Sequence, residues 1–284
     1  QVLKEGWANP LSGFMKEKDY LTSLHFNHIE RDGKYYNQSI PIILSVDKKI
    51  ENGKDINLIY ENKLIGKMKD IECYSHNINE MINRLWGTNY DIKHPYIEKL
   101  KKNEWLLGGE IELLEERIKW NDGLDEYRLN PEEIKEKMRE MDADCVFAFQ
   151  TRNPLHNGHV YMIEDTRRKL IEEGYKNPVL LLHPIGGFTK SDDVPLNVRI
   201  EQYKTLGFSN YLLSIFPSPM LYSGPRCAMW HAKSRENGGA NYIIAGRDMA
   251  GIYDIYKYHH AREVLRNAPY LKIKIIPFKV IAYN

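Results

Sequence analysis

Apolar positions change rhythm near residue 130. Before it they fall in short strand-like runs at 40–46, 56–60, 64–73 and 105–114, the last interrupted by Gly108-Gly109. Glu61-Asn62 separates the second run from the third and predicts a tight hairpin, so this half reads as a mixed β domain with a few helices. Asn130-Pro131 then opens a helix. Asn serves as N-cap, Pro fits the first helical position, and Glu132 and Glu133 complement the positive end of the dipole. Beyond it, apolar runs at 145–150, 179–185, 211–216, 242–246 and 271–276 alternate with helical stretches near 158–173, 195–206 and 225–236. That alternation predicts an α/β domain whose parallel sheet is joined by right-handed crossovers and binds ligands beyond the carboxyl ends of its strands. The expected division is 1–129 and 130–284. Polar, glycine-containing loops after Gln150, Pro184 and Ala245 fall at the predicted strand ends.

Composition narrows the choice. The 284 residues, 42% hydrophobic, suffice for two cores. Lys and Arg (40) balance Asp and Glu (39) to a net charge of +1, which argues against a broad nucleic-acid surface and makes any anion site local. Three cysteines without a C-x-x-C pair make a reducing compartment the simplest reading. No apolar stretch has bilayer-spanning length. A start at Gln1 rather than Met suggests a piece of a longer polypeptide.

The chemistry concentrates in Gln150-Thr-Arg-Asn-Pro-Leu-His-Asn-Gly-His159, between a predicted strand and a predicted helix. A helix start offers unpaired N–H groups and a positive dipole end, and Arg152, His156 and His159 add donors to the same space. The chain has no G-x-x-x-x-G-K-[ST] and no G-x-G-x-x-G after its strands, which disfavours P-loop and dinucleotide chemistry. No third ligand sits at zinc spacing from the two histidines. Two histidines three apart on a first turn suit attack at an α-phosphate with pyrophosphate leaving. Sharing charge with phosphates, they are expected to make activity vary with pH near neutrality. For Lys190, Asp192 and Asp193, a solvated loop and a loop closing over substrate are equal readings. Arg247, placed after a strand, is assigned to the site and Arg226 to the surface. Trp86, Trp105 and Trp120 are read as core or interdomain packing, Cys145 as an apolar filler, and His259, His260 and Arg262 receive no role.

The decapeptide resembles the signature of ATP sulfurylases, members of the HxGH nucleotidylyltransferase superfamily. The likeness extends through Gly6–Met15, Trp120–Asp125, Gly186–Pro195, Phe216–Pro225 and Gly246–Gly251, and is greatest to the sulfurylase halves of bifunctional PAPS synthases. It implies a PUA-like N-terminal domain followed by a Rossmann-like catalytic domain, truncated at its C-terminal end. The implied reaction joins sulfate to the adenylyl group of MgATP, giving adenosine 5'-phosphosulfate (APS) and pyrophosphate. Carried over, Gln150, Arg152 and the backbone N–H of Ala250 hold sulfate, and Thr151, Arg152 and Asn153 form the catalytic trio. His156 and His159 contact the phosphates, Gly246, Arg247, Asp248 and Met249 line the nucleotide, and Ile281 is an adenine-side candidate. Mg²⁺ is expected to arrive with ATP rather than at a protein metal site. The resemblance also implies a cytosolic homodimer and a fused or partner APS kinase, with neither nucleic acid nor membrane as partner. Two alternatives stay open: another HxGH adenylyltransferase, and an RNA-binding module built on the PUA-like half.

Overall fold

The computed structural model describes residues 1–87, 95–115, 117–246, 249–251 and 255–278. They form two compact units, Gln1–Ile118 with Ala268–Tyr270, and Lys119–Asn267 with Leu271–Asn284.

The first unit carries β1 (Gly13–Phe14), α1 (Glu17–Phe26), β2 (His28–Arg31), β3 (Lys34–Asn37), β4 (Leu44–Val46), β5 (Ile56–Tyr60), β6 (Lys63–Ser75), α2 (Ile78–Trp86), α3 (Pro95–Lys101) and β7 (Trp105–Leu113). Its main sheet runs β1-β7-β6-β5, with β4 also on β7, and every pairing is antiparallel. The two-residue turn forms as expected. Glu61 (φ 47°) and Asn62 (φ 62°) are both left-handed, the conformation whose twist matches that of the flanking strands. Two expectations are corrected. The run at 40–46 is a strand only over Leu44–Val46. Gly108-Gly109 does not interrupt β7 but lets neighbours approach it: a Cβ on Gly108 would stand 2.3 Å from the Met15 carbonyl oxygen, and one on Gly109 2.7 Å from that of Lys69.

The second unit carries α4 (Pro131–Glu140), β8 (Cys145–Thr151), α5 (Asn157–Glu172), β9 (Pro178–Pro184), α6 (Leu196–Lys204), β10 (Tyr211–Leu213), α7 (Pro225–Asn237), β11 (Tyr242–Ala245), α8 (His260–Arg266) and β12 (Lys274–Pro277). The sheet order is β10-β9-β8-β11-β12, wholly parallel. Order reverses between β8 and β11, so their carboxyl ends flank the crevice where such sheets bind ligands. Phe147, Phe149, Leu180, Leu182, Ile163 and Tyr203 centre the core on one face. The α4 capping box is complete: Asn130 Oδ1 accepts from Glu133 N at 2.9 Å, and Asn130 N donates to Glu133 Oε2 at 2.7 Å.

Departures from the pattern have local causes. The run at 211–216 is regular strand only to Leu213, with a single bridge from Ile185 to Phe216 beyond it, and α8 was not foreseen. Trp86 is core, as read, but Trp120 is 51% exposed, with the Arg128 guanidinium 5.6 Å above its ring. Its segment winds around Asp125, whose carboxylate accepts from Trp120 N at 3.1 Å and Asn121 N at 2.9 Å while pairing with Arg128. Among the described residues no helix is long and apolar enough to cross a membrane.

Candidate active site at the switch point of the parallel sheet

The turn after β8 is tied down from α6. Thr151 Oγ1 donates to the Asn153 carbonyl at 2.9 Å and accepts from Asn153 N at 3.0 Å. Tyr203 donates its hydroxyl to the same carbonyl at 2.7 Å, and Gln202 brackets Leu155, accepting from its N–H at 2.9 Å and donating to its carbonyl. Thr151 is thus a buried member that shapes the turn, while Arg152, Asn153 and His156 stand out from it.

His156 is the N-cap of α5. Its Nδ1 accepts from Gly158 N at 3.1 Å, and His159 Nδ1 accepts from His156 N at 3.5 Å. With Nδ1 accepting in each, the neutral rings carry their proton on Nε2, free to donate outward. The ring centroids lie 3.9 Å apart. Burial, and secondarily the neighbouring His156, pushes the His159 pKa down to about 4. His159 is therefore neutral at pH 7 and meets a phosphate as a hydrogen-bond donor. The titration near neutrality expected of both rings is not carried by this one.

Arg152 is paired. Its Nη1 donates to Asp193, whose side chain is only 6% exposed, and its guanidinium lies 5.4 Å from the Tyr222 ring centroid. Tyr222, held at φ 54°, accepts from Lys190 N at 2.9 Å and donates to Asp193 at 3.4 Å. In the loop from Gly186 to Pro195, Asp193 is packed against Arg152 whereas the Asp192 side chain is 74% exposed, so the solvated reading fits Asp192 and not Asp193. Among the described residues only Nη1 of Arg152 is engaged, which leaves Nε and Nη2 for a further oxyanion.

Thr151, Arg152, Asn153, His156 and His159 line a cleft of about 690 Å³ together with Gln150, Gly246, Met249 and Ala250. Ala250 has φ 63°, and its carbonyl accepts from Gly224 N at 3.0 Å, fixing the bend beyond β11. Arg247, Asp248 and Ile281 lie outside the described residues. Sequence reasoning missed Met220, Tyr258, His259 and Phe278, which also line the cleft. Phe278 had a signal, since it directly follows the last parallel strand. Tyr258 and His259 had none, because the stretch after Gly251 lacks strand or helix periodicity.

A family model described as ATP-sulfurylase matches residues 125–284, more than half of the chain. The chain belongs to the ATP sulfurylase family. A model for a PUA-like domain matches residues 1–116, so both halves of the expected fold are present. Among curated ATP sulfurylases, ATP sulfurylase 2 of Arabidopsis thaliana is 48% identical over 304 residues, covering 100% of this chain and 63% of its own length. ATP sulfurylase 4, chloroplastic, of the same plant is 47% identical, covering 100% and 64%. A sulfate adenylyltransferase of Halothermothrix orenii is 33% identical, covering 96% and 71%. The chain thus spans just under two thirds of the plant relatives it matches. A solved structure titled hexameric APS kinase from Thiobacillus denitrificans superposes with TM-score 0.67 at 19% identity, covering 98% of this chain and 48% of that one. At that identity the likeness establishes the fold alone.

Proposed function

We propose that this cleft transfers the adenylyl group of MgATP to inorganic sulfate, giving APS and pyrophosphate. The observation that carries the reading is the placement of Arg152 and the His156–His159 pair on one turn at the sheet's switch point, facing the bend at Ala250. A sulfate oxygen forms a new bond to the α-phosphorus, the bond from that phosphorus to the β-bridging oxygen breaks, and pyrophosphate leaves with the electron pair. Sulfate has no proton to lose, so no general base is required. Catalysis is then positioning of two anions plus neutralisation of developing charge.

In this reading Gln150, Arg152 and the Ala250 N–H hold sulfate, while Thr151 sets the turn that presents Arg152 and Asn153 to the reacting phosphate. Asp193 orients the guanidinium by occupying one end of it. The Nε2–H groups of His156 and His159 meet the phosphate chain. Gly246, Arg247, Asp248 and Met249 line the nucleotide, with Ile281 towards adenine. Mg²⁺ enters as part of the nucleotide substrate, since no carboxylate is among the described residues that line the cleft and Asp193 beside it is taken by Arg152. Homodimerisation, a cytosolic location and pairing with an APS kinase domain complete the proposal. The buried free thiols Cys73, Cys145 and Cys227 suit any reducing compartment, the interior of a chloroplast included. The test is sulfate-dependent exchange of labelled pyrophosphate into ATP by the purified chain. Exchange that needs sulfate supports the reading, and exchange that ignores sulfate or needs another acceptor overturns it.

A further inference from the structure

Helix α7 is polar in composition yet buried along almost its whole length, and it brings Arg235 into the interior at 0% exposure. A guanidinium there needs a counter-charge. Among the described residues no carboxylate pairs with it. Its Nη1 donates to the His231 carbonyl and its Nη2 to the His183 carbonyl, each at 3.3 Å, Nε has no acceptor, and the group lies 4.0 Å from the Phe216 ring centroid. His231 and His183, both fully buried, are held well below their ordinary pKa by burial first and Arg235 second, and Cys227, 3.5 Å from His231, is pushed up to about 11 by burial. Among the described residues no neighbour is an anion at neutral pH. An isolated buried cation is among the costliest features a fold can hold.

The sheet register shows where that charge acts. His183, whose carbonyl Arg235 grips, pairs with Gln150 across β8 and β9, and Thr151 pairs with Pro184. Register partners in a parallel pair share a face, and neighbouring strands lie about 4.8 Å apart. Arg235 is therefore anchored on the strand next to Gln150, the residue that opens the anion cleft, and its burial keeps it out of reach of solvent ions that screen exposed charges.

We propose that Arg235 is a positioning and electrostatic residue, whose buried charge, which no described group of the protein neutralises, is balanced by the anions bound at the Gln150 end of the cleft. This rests on the cleft being an anion site. The free protein carries the destabilising charge, and the bound anion relieves it.

The test uses the whole chain and inorganic pyrophosphate as probe, with dissociation constants from calorimetry and melting temperatures with and without the probe. Arg235→Met removes the charge and keeps the length, and Arg235→Gln removes the charge but keeps a donor for the His183 carbonyl. The neutral variants are expected to bind pyrophosphate about tenfold more weakly, the scale for two unit charges on the order of 12 Å apart at an effective dielectric of about 20, while melting no lower than the unsubstituted chain without ligand. A merely structural arginine predicts the reverse, a lower melting temperature and unchanged affinity. Should Arg235→Met not fold, Arg235→Gln decides alone. Unchanged pyrophosphate affinity in a folded neutral variant overturns the inference and leaves the cleft standing, whereas no binding by the unsubstituted chain overturns both.

Discussion

Arg152 and His159 do different electrostatic work in the proposed reaction. Arg152 presents a planar guanidinium fork to the oxyanion, so Arg152→Ala is expected to lower turnover about 10²-fold or more, the usual scale for removing one transition-state donor. Steady-state pyrophosphate release checks this, and near-normal turnover removes Arg152 from the reacting group. His159 acts as a neutral donor, and its lowered pKa has a consequence for folding. The unfolded chain takes up a proton near the ordinary value of 6.5, which the folded chain refuses until about pH 4. Folding stability is therefore undiminished above pH 6.5 and falls as pH drops towards 4, with buried His183 and His231 acting in the same direction. Urea midpoints across pH 4 to 7 are expected to decline with acidification, and His159→Asn is expected to flatten the slope. An unchanged slope contradicts the shift. Arg152 and the two histidines were legible as candidates because a strand-to-helix turn dense in donors implies an anion, while Gln150 entered only through the family resemblance. The engagement of Arg152 by Asp193 was not, because an ion pair across 41 residues leaves no periodic trace.

The elements divide by how local their causes are. The α4 start was written in four residues, Asn130 to Glu133, and formed as read. Asn130→Ala is expected to cost about 1 kcal/mol of stability, the usual value of an N-cap, by denaturant unfolding. In β7 the two glycines looked like a break because sequence shows the missing side chain but not the chain that fills its place. Gly108→Ala drives a Cβ towards the Met15 carbonyl, and an overpacking loss of about 1–3 kcal/mol is expected. Stability equal to that of the unsubstituted chain shows that the approach is looser than described. Helix α7 was legible as a helix near 225–236, but its burial was not: Lys233, Ser234 and Arg235 are all buried, and burial of a polar helix depends on neighbours that no local pattern encodes.

At the scale of the molecule, strand–helix alternation made the parallel sheet legible, whereas the order β10-β9-β8-β11-β12 follows from packing and chirality. That order makes the β8 turn and the β11 bend two walls of one cleft, although about a hundred residues separate them along the chain. A net charge of +1 conceals this arrangement. In the cleft Arg152 is offset by Asp193, whereas Arg235, anchored on the strand next to Gln150, has no carboxylate partner among the described residues. The central claim is that a tetrahedral oxyanion and a nucleotide phosphate share this one cleft. The most direct measurement is a crystal structure of the chain with APS. The account predicts the sulfuryl group within hydrogen-bonding distance of Arg152 and the Ala250 N–H, with the phosphate towards His156 and His159. APS bound anywhere that leaves Arg152 and both histidines without contact to it would contradict the account.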